Sequence, residues 1–252
     1  MLKGLRGPGF KGSSKNLGPL DPRILEPFLV MKALHSWKVS LEKAIQIQKD
    51  LSSQIILRKT FSKVRTVGGG DVAYSKNKAL LFGAIVILSF PQMETLDIAT
   101  DLGKLSFPYI PGLLSFREGP ILIKIFQKLK VKPDVIIFDG QGVAHPRGIG
   151  LASHLGLWFD LPSIGCAKTP LLDEFVSPGF SKGSFEAIQR EGKEVGAVLR
   201  TKDKVKPLFV SPGHRIDLTT SIQLILASCQ GFRIPEPLRQ AHQLARLLRE
   251  KF

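Results

Sequence analysis

Apolar residues fall into two patterns along this chain of 252 residues. Runs rich in Val, Ile and Phe predict three successive strands over residues 66–74, 79–90 and 92–105. The short polar link Lys76-Asn77-Lys78 suits a hairpin between the first two. Shorter continuous runs predict buried strands over 135–138, 163–167, 195–199 and 208–210, and one further strand is expected over 54–57. Elsewhere apolar positions return every three or four residues. Ser40 reads as an N-cap, followed by Leu41, Ala44, Ile45, Ile47 and Leu51 on one helical face. The same spacing predicts helices over 113–129, 148–158, 218–229 and 238–251.

A three-strand antiparallel meander followed by alternating helices and buried strands is an α/β arrangement, with a mixed central sheet and flanking helices. Its order of elements matches the ribonuclease H-like fold, and pattern alone leaves other α/β folds open. Residues 1–30 differ from the rest. Met1 to Leu20 is rich in Gly, Lys, Ser and Pro without periodicity, and reads as a disordered basic extension. One domain is expected over 31–252, and Met31 is an alternative start. No internal repeat is visible.

Charge narrows the function. Lys and Arg number 36 against 21 Asp and Glu, a net charge of +15, which suits a polyanion partner or an anionic surface. No run reaches the roughly 18–20 apolar residues of a spanning helix. The basic N-terminus lacks the apolar stretch of a secretory signal. Cys166 and Cys229 stand in apolar company outside any metal-ligand spacing, and read as core thiols of a reducing compartment. A cytoplasmic, monomeric protein without membrane contact is expected.

Against this basic background three acids stand out: Asp71 in VGGGDVAY, Glu118 in SFREGP and Asp139 in VIIFDGQG. Asp71 and Asp139 close apolar strands, where α/β folds gather their sites. Carboxylates so placed can hold a hard cation beside phosphate oxygens. Singly, Asp71 and Asp139 also read as turn residues, and Glu118 as one more exposed helical glutamate. Gly68, Gly69 and Gly70 leave room for close approach of a backbone or ligand. His145 and Arg147, ahead of a helix, could contact phosphate, and His145 could equally be structural. Lys168 ends the strand over 163–167 and could offset charge on a pentavalent phosphate. His214, in Ser211-Pro212-Gly213-His214, could orient a water or ligate a cation. Tyr109, in the stiff loop Pro108-Tyr109-Ile110-Pro111-Gly112, could stand in for an extruded base, although simple packing is the commoner role. Together these features point to a metal-dependent nuclease.

In order, GGGDVAY, FPYIPGLLSFREGP, FDGQGVAHPRGIGLASHLG, GCAKTPL and FVSPGHRIDL resemble the endonuclease V (deoxyinosine 3′-endonuclease) family from about residue 34 onward. Leu34-His35-Ser36-Trp37 resembles its usual opening. The resemblance implies a ribonuclease H-like fold and Mg²⁺-dependent hydrolysis, with Mn²⁺ as a substitute. Cleavage would fall at the second phosphodiester bond 3′ to hypoxanthine or a related deaminated base in DNA. It implies Asp71, Glu118 and Asp139 as metal ligands, and Lys168 and His214 as completing the active site. Tyr109 would be the wedge, and backbone near Gly112, Leu114, Gly142 and Leu151 would line the base pocket. Inosine-containing RNA is a second possible substrate. Another ribonuclease H-like nuclease, such as a junction resolvase, and a non-cutting binding protein are the competing readings. The basic extension and Asp217, either an N-cap or a further acidic ligand, depart from the family pattern.

Overall fold

The computed structural model describes residues 33–76, 79–172 and 175–252. The extension expected over 1–30, Met31, and Asn77-Lys78 of the hairpin link lie outside them. The chain runs α1 (Leu41–Ser52), β1 (Thr66–Tyr74), β2 (Leu80–Ser89), β3 (Thr95–Lys104), α2 (Leu114–Phe126), β4 (Val135–Phe138), α3 (Leu151–Phe159) and β5 (Ser163–Ala167). It continues with β6 (Phe185–Arg190), β7 (Lys193–Leu199), β8 (Leu208–His214), α4 (Leu218–Ser228) and α5 (Glu236–Glu250).

One eight-stranded sheet has the order β3-β2-β1-β4-β5-β8-β7-β6. β1 to β3 form the antiparallel meander, and β4 and β5 continue it in parallel with β1. This is the ribonuclease H-like order. β8, β7 and β6 then extend the sheet antiparallel. Because β1 and β4 are covered on both faces, their apolar runs are nearly continuous. On one face α4 and α5 join Val67, Val86, Ile137 and Val210 in a core. On the other, α2 and α3 pack Ile121, Ile125 and Leu155 against Ile85, Ile136 and Phe138. α1 lies outside α2, burying Ala44, Ile47 and Leu51 with Leu113, Phe116 and Ile149.

Local chemistry sets the helix starts. The Ser40 hydroxyl accepts from the Lys43 amide at 3.3 Å. Asp217 accepts from the Thr220 amide at 2.7 Å, so it caps α4 and is not a further acidic ligand. Such caps contribute about 1 kcal/mol each. α3 begins at Leu151 instead of 148, because Gly148 sits at φ +70° and Gly150 is extended.

Four strand expectations need correction. Residues 54–57 form no strand; the chain there leaves α1 and gives the Ile56 amide to His214. β3 starts at Thr95, because Ser89 to Glu94 close a turn first. β6 has a mostly exposed, charged sequence, FEAIQR, and escaped the apolar signal because it is the sheet's outermost strand. β8 runs on through Pro212 and Gly213, which read as loop residues. The irregular pairing beside Ile164 and Pro212 accommodates the missing N–H.

Candidate active site

Where β4 stops, Asp71 and Asp139 become neighbours. Gly70 pairs with Phe138, so the next residue on each strand emerges at the same edge of the short strand. Asp71 therefore lies within β1 and not at its end; β4 ends, and β1 continues to Tyr74. Lys168 follows the adjacent strand β5, and its ammonium contacts the Asp139 carboxylate directly. Glu118 arrives from α2, on one face of the sheet. From the other face, His242 of α5 places Nδ1 2.7 Å from Asp71 Oδ2.

Asp71 and Glu118 are buried, Asp139 is partly so, and the charges repel one another. Burial raises the Glu118 carboxyl to about 8; the Tyr74 hydrogen bond opposes this, and the Asp71 and Asp139 charges add to it. Asp71 is raised as well, by burial and then by Asp139, against the pull of His242 and Lys168. Burial works against the Lys168 ammonium, yet Asp139 outweighs it and raises the group. The Tyr74 hydroxyl donates to Glu118 Oε1 at 2.6 Å, and burial first, then Glu118, drives its own ionisation upward. The Arg117 guanidinium lies over the rings of Tyr74 and Tyr109, 4.9 and 5.9 Å from their centroids.

Three hard oxygen donors carrying shared negative charge have the chemistry of a Mg²⁺ or Mn²⁺ site. As they lie, no three His, Cys, Asp or Glu side chains among the described residues converge on one point. Each carboxylate is turned to its own partner: Asp71 to His242, Glu118 to Tyr74 and Asp139 to Lys168. Burial first, and repulsion between the carboxylates second, keep Glu118 and Asp71 protonated more readily than an ordinary carboxyl, and a cation would offset both. The donor set thus fits the ion.

Asp139 and Lys168 also stand at the mouth of a cavity of about 410 Å³. Its walls are the 109–112 loop, Leu114, Gly140, Gln141, Leu151 and the 167–171 segment. Tyr109 projects from the rim with 72% of its surface exposed, free of the packing a core tyrosine would have. Gly112, Leu114, Leu151 and His145 line the cavity. Gly142 lies behind the wall, where a Cβ would sit 2.0 Å from the Pro212 carbonyl oxygen.

Three sequence expectations change. His214 is far from the carboxylates. β8 runs antiparallel to β5 and pairs His214 with Ser163, at the opposite end of β5 from Lys168. There it is buried; its Nδ1 accepts from the Ile56 amide at 3.3 Å, and Nε2 faces Asp160 at 3.7 Å. His145 is no open phosphate contact. It is buried, its Nδ1 accepts from the Arg147 amide, and its Nε2–H donates to the Gly112 carbonyl at 2.9 Å. Burial, then the Arg147 charge, lowers it to about 4, so it is neutral. Arg147 spends its guanidinium on Gly112 and Gln48. The histidine that does reach the carboxylates, His242, was missed because it sits in a polar helical sequence, QAHQLARLL, with nothing local to mark it.

The chain also resembles known proteins over most of its length. A model of the family described as Endonuclease V matches residues 49–243. The chain is 50% identical over 201 residues to Endonuclease V of Dictyoglomus thermophilum, covering 80% of this chain and 87% of that one. It is 46% identical over 214 residues to that of Methanothrix thermoacetophila, covering 85% and 94%. The crystal structure of Endonuclease V from Streptomyces avermitilis superposes with a TM-score of 0.81 at 40% identity, covering 85% of this chain and 95% of that one. Endonuclease V of Ciona intestinalis, solved with a 23mer DNA containing an inosine followed by a ribo-adenosine, gives 0.75 at 33% identity, covering 84% and 99%. With matches to its family model and its members over most of its length, the chain belongs to the endonuclease V family.

Proposed function

We propose that this protein hydrolyses DNA at the second phosphodiester bond 3′ to deoxyinosine or a related deaminated base, with Mg²⁺ as cofactor. The observation that carries the reading is the set of Asp71, Glu118 and Asp139, whose charges act on one another, with Asp139 and its partner Lys168 lining a cavity of about 410 Å³ that Tyr109 also lines. The Ciona relative, bound to DNA with an inosine, supports the substrate class.

In this reading Asp71, Glu118 and Asp139 would hold the ion, which when bound would ease deprotonation of the attacking water and offset charge on the phosphate. Tyr74 holds Glu118 and His242 holds Asp71, so each partner limits how its carboxylate can turn toward the ion. Lys168, released from Asp139, offers its ammonium to the charge that grows on the phosphate. Tyr109 fills the gap left by the extruded nucleotide. Extrusion costs least for a mispaired base. The cavity holds the base and cuts elsewhere, so its walls need only read hypoxanthine, through its O6 acceptor and N1–H donor.

The test is cleavage of an end-labelled strand carrying one deoxyinosine, with Mg²⁺ or EDTA. Controls are the adenine strand and Asp139→Asn. A Mg²⁺-dependent nick one nucleotide beyond the inosine, absent from both controls, is the expected result. Cleavage only of a ribose strand with inosine would move the activity to RNA, and no cleavage of either would sink the reading.

A further inference from the structure

Gln48 belongs to none of the motifs above, yet it lines the cavity with its amide nitrogen and oxygen both hydrogen-bonded. It is 0% exposed, on the face of α1 that also buries Ala44, Ile47 and Leu51. Its amide nitrogen donates to the carbonyls of Gly112 at 2.9 Å and Ile149 at 3.1 Å. Its amide oxygen accepts from Arg147 Nε at 2.6 Å. Both N–H groups and one oxygen of the side chain are thus used.

The partners give this arrangement its meaning. Gly112 is the turn residue of the loop that carries Tyr109, with φ +80° and a Leu113 amide bond back to Ile110 at 3.0 Å. Its carbonyl accepts from three side chains: Gln48, His145 Nε2 and Arg147 Nη2, the last at 2.7 Å. Ile149 directly precedes Gly150 and Leu151, which form the opposite wall. One buried amide therefore spans the cavity from behind and ties both walls to a helix outside the sheet. Orphaned buried carbonyls are costly, so the tie also fixes which way the Gly112 peptide faces.

We propose that Gln48 is a positioning residue for base recognition, holding the Tyr109 loop and the Ile149–Leu151 wall at a fixed separation. The inference rests on the base-pocket reading of the cavity. Its effect is on binding and selection of the base, since Gln48 touches none of Asp71, Glu118, Asp139 or Lys168.

The experiment compares the full chain with Gln48→Met, which keeps length and loses every hydrogen bond, and with Gln48→Glu. The glutamate retains the Arg147 partner and presents oxygen to two carbonyls. Each is measured by steady-state cleavage of the deoxyinosine strand, by thermal unfolding, and again in a Tyr109→Ala background. KM should rise at least tenfold with kcat changed less than threefold. The Gln48 effect should shrink to less than threefold when Tyr109 is already absent. Unchanged KM, a loss confined to kcat, or a full effect without Tyr109 would each overturn the proposal. So would failure of both variants to fold, since the role would then be general stability. If the wild-type chain ignored the deoxyinosine strand, the base-pocket reading itself would fall, a different result from a silent Gln48.

Discussion

His242 Nδ1 lies 2.7 Å from Asp71 Oδ2, joining the last helix to the first strand of the sheet. The contact is asymmetric: the Asp71 side chain is 9% exposed and that of His242 54%. The imidazole thus forms an outer wall for a buried carboxylate. His242→Ala should leave Asp71 unoriented and lower cleavage about 10- to 100-fold, the usual cost of losing a ligand-orienting partner. His214→Ala, at the other end of the sheet, should keep kcat within about threefold once lower stability is allowed for. Cleavage rates of the two variants at saturating Mg²⁺ decide which histidine serves the site; equal losses would refute the assignment.

How much of this was legible beforehand follows from where each signal resides. Asp71 and Asp139 stood out beside apolar strand runs, whereas Glu118 read singly as an exposed helical glutamate and was picked out only with the other motifs, through the resemblance of SFREGP. The strands β2, β4 and β5 were legible because both faces are covered, leaving unbroken apolar sequence. His242 and Gln48 were not. Each is a polar residue on a helix, and its role is set by a partner 171 and 64 positions away in the chain. His214 misled for the same reason: SPGH looks like a site loop, and only the strand direction of β8 shows that it points away.

Tyr74 tests the orientation of the third ligand. Its hydroxyl donates to Glu118 Oε1 at 2.6 Å and opposes the burial that still raises the carboxyl to about 8. In Tyr74→Phe the carboxyl should hold its proton more tightly. The ion must then displace that proton, so the Mg²⁺ concentration for half-maximal cleavage should rise about tenfold at pH 7. The deficit should narrow as pH is raised to 9. Metal titrations at the two pH values would expose a purely steric role for the ring, which predicts no pH dependence.

Gly69 joins the fold to the chemistry. A Cβ there would sit 2.2 Å from the Pro237 carbonyl carbon, a backbone atom at the start of α5. Helix α5 must therefore ride up to admit even alanine, and His242 moves with it. Gly69→Ala should cost about 3 kcal/mol, the upper range for overpacking. The folded fraction should show the same activity loss as His242→Ala. Gly103→Ala is the control, since its Cβ would meet Ile121 at 3.5 Å, an ordinary contact. Denaturant unfolding of both variants, with cleavage assays at matched folded fraction, checks the pair.

Buried histidines set the acid limit of stability. His154 is pushed down to about 3 by burial, then by His35 and His145, and His145 is pushed down to about 4. His35 and His214 are also lowered, chiefly by burial. In the unfolded chain these groups protonate near the ordinary value of about 6.5. Stability from keeping them neutral is therefore complete above about pH 6.5 and is lost as pH falls from there toward the folded values. Glu118 works in the opposite sense: its raised carboxyl makes the fold less stable as pH rises from its ordinary range toward about 8. That contribution is common to wild type and a histidine variant, so it cancels in their difference. His154→Asn should be less stable than wild type at pH 7, because the bond to Ser115 at 3.0 Å and the 2.7 Å contact with His35 are lost. The gap should close by about 1 kcal/mol per pH unit between pH 6 and 5, near the linkage limit for one proton. Urea midpoints at pH 7, 6 and 5 measure it, and parallel curves for the two proteins would mean that His154 is not held neutral.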